Sequence, residues 1–93
     1  MDLLSALVAP RVHSQLLPDK VYVENSTMKT GLHILGDQLM VDSLIARHHN
    51  NVTYTTGSMG VTQFIAVDPD TGLIEAVSDP RKYGTPAAAA VVV

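Results

Sequence analysis

Cysteine and tryptophan are missing from this 93-residue chain, phenylalanine occurs once and tyrosine three times. The lack of cysteine excludes a disulfide framework, a thiolate nucleophile and a cysteine-ligated zinc site, and leaves the redox compartment undetermined. With so few aromatics, the core must come from Leu, Ile, Val, Met and Ala, which dominate a hydrophobic share of 46%. A chain of this length makes at most one domain and buries only about 60 to 65 per cent of its unfolded surface. Basic runs are also missing. Nine acidic and six basic residues are scattered to a net charge of −3, which gives no phosphate-binding patch and no polybasic membrane stripe. Nucleic acid is not an expected partner. Met1 to Pro10 is apolar but too short to span a membrane, and it carries Asp2 where a secretory leader would carry basic residues. Neither targeting signal nor membrane segment is expected from it.

What is present reads as α+β. Leu3, Leu4, Leu7 and Val8 fall on one helical face, with Asp2 placed to cap the helix and Pro10 to stop it. Lys20 to Glu24 alternates polar and apolar and predicts a strand, closed by a turn at Asn25-Ser26. From Met28 to His48 the apolar spacing is helical, with Gly31 and Gly36 interrupting the first half, so the firmer helix is placed from Asp37 to Arg47. Thr53 to Thr56 alternates like a strand before Gly57 and Gly60 loosen the backbone into a bend or bulge. Val61 to Val67 and Leu73 to Val77 predict a hairpin turned by Asp68-Pro69-Asp70-Thr71-Gly72. The expected order is helix, strand, helix, strand, strand, with residues 1–86 as the folded part and 87–93 as a low-complexity tail. Such a set is short of a closed sandwich and leaves one sheet face uncovered. Together with a helix that begins at the first residues, this leads to the expectation of a fragment of something larger.

Each chemical feature carries a plain alternative. His13, His33, His48 and His49 include no i, i+4 pair, so no metal site is expected; His48 and His49 suit the C-terminus of a helix instead. Asp68, Asp70 and Gly72 imitate the opening of a calcium loop, but the sixth position is Leu73 and the twelfth is Asp79, so this is a turn. Thr55-Thr56-Gly57-Ser58 offers hydroxyls and flexible amides without a base to activate them. Arg11 and Arg81 each follow a proline that fixes their approach. They suit either capture of a substrate carboxylate or a scaffold ion pair with Asp79 or Glu75, and the second is expected. Asn25-Ser26-Thr27 and Asn51-Val52-Thr53 match the N-glycosylation acceptor pattern; both also read as ordinary polar loops.

Two segments carry a family resemblance. Pro10-Arg11-Val12-His13-Ser14-Gln15-Leu16-Leu17-Pro18 resembles the Pro-Arg-x-His-x-Gln-x-x-Pro segment of γ-glutamyltranspeptidases, and Ser78-Asp79-Pro80-Arg81-Lys82 with Gly84 and Pro86 resembles their C-terminal signature. Gly60, Gln63 and Ile65 fit the stretch between them. The chain departs from the family at Tyr83, where glycine is common, and in the run from Ala87 to Val93.

The resemblance implies a partial αββα sandwich of the N-terminal-nucleophile hydrolase type. It implies a parent enzyme that hydrolyses glutathione through a threonine nucleophile and passes the γ-glutamyl group to amino acids, peptides or water, without a cofactor. The family's Thr-Thr-His nucleophile motif, serines and glycine pair lie upstream of both segments, so no catalytic or substrate-binding residue maps onto this chain. Arg11, Asp79 and Arg81 are then structural anchors. The implied partners are the remainder of the small subunit and the large subunit, and the implied location of the parent is extracellular or at the cell surface.

Overall fold

A computed structural model describes residues 1–57 and 59–89. Its elements are α1 (Leu3–Leu7), β1 (Val12–Ser14), β2 (Val21–Thr27), β3 (His33–Leu35), α2 (Gln38–Ala46), β4 (Val52–Thr55), β5 (Gln63–Val67) and β6 (Ile74–Ser78). They group into two compact units, residues 9–60 and residues 1–8 with those from 61 onward.

In the unit of residues 9–60, β2 is the central strand. It pairs antiparallel with β1, with Val12 opposite Val23, and antiparallel with β3, with Ser26 opposite Ile34. With β4 it pairs in parallel, Val21 to Glu24 lying beside Val52 to Thr55. A parallel pair needs a crossover, and the segment containing α2 supplies it. Val21 and Val23 are buried, and so are Glu24 and Ser26. Neighbouring positions of a strand point to opposite faces, so β2 is covered on both. Ile34 and Val41 complete the buried apolar set of this unit.

The strand predicted to end at Glu24 therefore continues to Thr27. The turn lies further on: Met28 N–H donates to the Leu32 carbonyl at 2.7 Å, and Gly31 takes φ of 92°. This turn returns the chain as β3, so the helical spacing of the Met28 to Leu35 stretch is overridden by strand pairing. Gly36 is required after it, since a Cβ there would run into Val23 Cγ1 and Met40 Sδ. The helix expected from Asp37 to Arg47 is α2 with those two residues as its caps; Asp37 Oδ1 accepts from Met40 N–H at 2.9 Å. At its other end His49 N–H donates to the Leu44 carbonyl and His48 N–H to the Ile45 carbonyl, while His48 has φ of 71°. This is a Schellman ending with histidine in the left-handed position usually held by glycine.

In the other unit, Asp2 Oδ1 accepts from Ser5 N–H at 2.7 Å and caps α1, whose Leu7 is buried. The hairpin forms with β5 starting at Gln63, two residues into its apolar run, and β6 shifted one residue later, with Val67 opposite Ile74 and Gln63 opposite Ser78. Its turn is held by Asp68 Oδ1, which accepts from the N–H groups of Asp70 and Thr71, and by Gly72 at φ of 72°. Helix α1 packs against both β5 and β6. The observed class is α+β, with eight elements among the described residues where the expected order had five; β1 and β3 are additions, and β4 is the strand-like stretch from Thr53 that the expected order did not count. Residues 90–93 of the expected tail, and Ser58, lie outside the described residues.

Candidate functional site

Two buried carboxylates organise the polar interior, one in each unit. Asp79 is 1% exposed. Its Oδ1 accepts from Arg81 N–H at 3.0 Å and from Arg81 Nη1 at 3.1 Å, and its Oδ2 accepts from Thr62 N–H at 3.1 Å. The same Arg81 Nη1 donates to the carbonyl of Leu7 at 3.1 Å. Leu7 is the last residue of α1, where carbonyls have no partner further along the helix and a cation is favourable. A charged pair so deeply buried is tolerable because its lone pairs and protons are used. Among the described residues, no buried side-chain nitrogen or oxygen lacks a hydrogen bond.

Glu24 is fully buried. Its Oε1 accepts from Arg11 N–H at 3.1 Å and its Oε2 from the Ser26 hydroxyl at 2.9 Å. The Glu24 backbone donates to the Arg11 carbonyl at 3.0 Å and accepts from Gly36 N–H at 2.9 Å. Arg11 Nη1 donates to the Gly60 carbonyl at 2.9 Å. Tyr54 hydroxyl closes the group by donating to the Gly36 carbonyl at 2.7 Å. Sequence reasoning missed Glu24, because alternation along Lys20 to Glu24 marks it as an outward polar position. Only its place on a strand covered on both faces reveals it.

Of the residues singled out for chemistry, Arg11 and Arg81 belong to these two groups, and Thr55 lies beside Glu24 in the parallel β2 and β4 pair. An open depression of about 400 Å³ is lined by His13, Gln15, Tyr22, Thr55, Met59 and Gly60. His13 Nε2 lies 3.0 Å from Gln15 Oε1, and Thr55 Oγ1 accepts from Gly57 N–H at 3.1 Å. The hydroxyl is thus engaged in a local turn, and no carboxylate lines the depression as a base. His33 Nε2 meets Asn25 Oδ1 at 2.6 Å, while His48 and His49 end α2. Among the described residues, no group of three or more His, Asp or Glu side chains is arranged to hold a metal ion. No helix among them is long and apolar enough to cross a membrane. Asp2 has its carboxyl held below the usual range, chiefly by the hydrogen bond from Ser5 N–H.

The two carboxylate groups draw their arginines from the two segments that carried the family resemblance. Comparison with known proteins agrees with that assignment. The family model described as gamma-glutamyltranspeptidase matches residues 1–89. A curated relative, glutathione hydrolase 2 of Arabidopsis thaliana, is 33% identical over 92 residues, covering 92% of this chain. The chain spans only 15% of that relative's length. With the match running through both arginine segments and nearly everything between them, the chain belongs to the gamma-glutamyltranspeptidase family.

Proposed function

We propose that this chain is the C-terminal scaffold of an enzyme that hydrolyses glutathione and transfers its γ-glutamyl group to amino acids, peptides or water, and that it is inactive alone. The observation that carries this reading is the extent of the match, nearly the whole chain against 15% of a glutathione hydrolase. The αββα sandwich is completed by polypeptide beyond these residues, namely the remainder of the small subunit and the large subunit. The parent enzyme works outside the cell or at its surface. Arg11, Asp79 and Arg81 serve as anchors: their protein partners are backbone groups and a buried carboxylate, which supports a structural role over capture of substrate.

The test is an assay of the isolated chain for cleavage of a γ-glutamyl anilide. The expected result is no release above the rate without protein. Release that disappears in Thr55→Ala or Thr56→Ala would overturn the proposal, since those threonines lie downstream of the family's nucleophile position.

A second reading, a non-catalytic interaction module, is favoured by the hairpin. Ile65, Val67 and Ile74 share one face of β5 and β6 and are 73%, 61% and 67% exposed, an apolar strip of the kind that marks protein contact surfaces. Retention of the parent's large chain on the immobilised fragment supports this reading. Monomeric behaviour with cooperative unfolding and no retained partner counts against it.

A further inference from the structure

The fold places the two Asn-x-Ser/Thr triplets in different surroundings. Asn25, Ser26 and Thr27 are the end of β2, paired residue by residue with Leu35, Ile34 and His33. Asn25 is half-buried, its Oδ1 is engaged by His33 Nε2 at 2.6 Å, and Ser26 is buried. Asn51 lies just ahead of β4, in the connection from α2. Its backbone is fixed, because its carbonyl accepts from Val21 N–H at 2.8 Å. Its side chain is exposed, and so is that of Thr53, whose hydroxyl donates to Asn51 Oδ1 at 3.3 Å. The amide and hydroxyl of this triplet therefore stand together on an exposed side of a fixed backbone.

We infer that Asn51 is an N-glycosylation site and that Asn25 is not. The ligand class is an oligosaccharide carried on a polyprenyl diphosphate. The Asn51 amide nitrogen forms a bond to the anomeric carbon of the first sugar, and the bond from that carbon to the diphosphate oxygen breaks. The diphosphate leaves with the electron pair, and the displaced amide proton passes to a base of the transferring enzyme, so no oxidant or reductant is involved. A bulky, solvated sugar is compatible with an exposed loop. On Asn25 it would stand on a central strand beside the imidazole that engages the amide. The inference rests on the proposed extracellular location of the parent, and its test is built to be independent of natural routing.

The whole 93-residue chain, translated behind a cleavable leader peptide with microsomal membranes, is analysed in its protease-protected fraction before and after endoglycosidase. The expected result is one endoglycosidase-sensitive mobility step. It should be kept in Asn25→Gln, and lost in both Asn51→Gln and Thr53→Ala. A protected chain without any step, a step that survives Asn51→Gln, or a second step removed by Asn25→Gln would overturn the inference. None of these outcomes bears on whether the chain belongs to a glutathione-hydrolysing parent.

Discussion

Arg81 donates from one nitrogen both to Asp79 Oδ1 and to the carbonyl of Leu7, a residue 74 positions earlier in the sequence. The contact ties the C-terminal signature to the end of α1. Its strength lies in what would be left behind without it. Asp79 would keep its burial and lose its cation, and the helix end would lose its donor.

Arg81→Ala is therefore expected to destabilise the unit of α1 and the hairpin by about 3 kcal/mol, the lower end for breaking a buried pair. Arg81→Lys should recover only part of that loss, because a compact, strongly hydrated ammonium on a flexible stem costs more to bury than the pre-organised guanidinium. Urea unfolding followed by circular dichroism measures both. Equal midpoints for Arg81→Ala and the unchanged chain would remove the anchor role.

Gly36→Ala tests the unit of residues 9–60. The added methyl meets Val23 Cγ1 and Met40 Sδ. The methionine can move, but Val23 is fully buried in the central strand, so an overpacking cost of about 1 to 3 kcal/mol is expected. Thermal unfolding checks it. The effect should be partly relieved by Val23→Ala in the same chain, since that removes the clashing methyl groups.

What the sequence revealed and what it concealed follow from the range of the forces. Both helices carry an aspartate at the capping position, and the hairpin carries Asp68 and Gly72 where the turn needs them; such signals act within a few residues, so α1, α2 and the β5 and β6 pair were legible. Strands β1 and β3 are three residues each, too short for any periodicity. β3 exists because Asn25 to Thr27 offers an edge, a fact absent from its own residues. The Asp-Pro-Arg segment announced the Asp79 to Arg81 pair at close range. Glu24 gave no such signal, because its burial is decided by strands and a loop from elsewhere in the chain.

Asp2 gives a pH prediction with a definite sign. Its carboxyl is held below the usual range by the Ser5 N–H bond, so the charged form is favoured in the folded state. A depressed carboxyl contributes stability that is present above its unfolded pKa and is lost as pH falls through the folded value. Fraying of α1 should thus increase as pH drops below about 4. Amide exchange or NMR shifts at Ser5 and Ala6 would follow it. Asp2→Asn keeps a capping oxygen without the titrating charge, and should abolish the pH dependence while leaving the helix formed.

The last prediction runs toward greater stability. His48 holds φ of 71° at the end of α2, with its N–H and that of His49 closing the Schellman bonds to Ile45 and Leu44. A left-handed conformation costs a residue with a Cβ roughly 1 to 2 kcal/mol, and glycine pays none of it. Glycine also has more freedom to lose on folding, which offsets part of the gain. His48→Gly is accordingly expected to stabilise the unit of residues 9–60 by about 0.5 to 1 kcal/mol, read as a higher unfolding midpoint. His49→Gly serves as the control: without a left-handed backbone to relieve, it should be neutral or destabilising. A stabilisation shared equally by both variants would mean that the imidazoles, not the backbone of His48, limit this end of the helix.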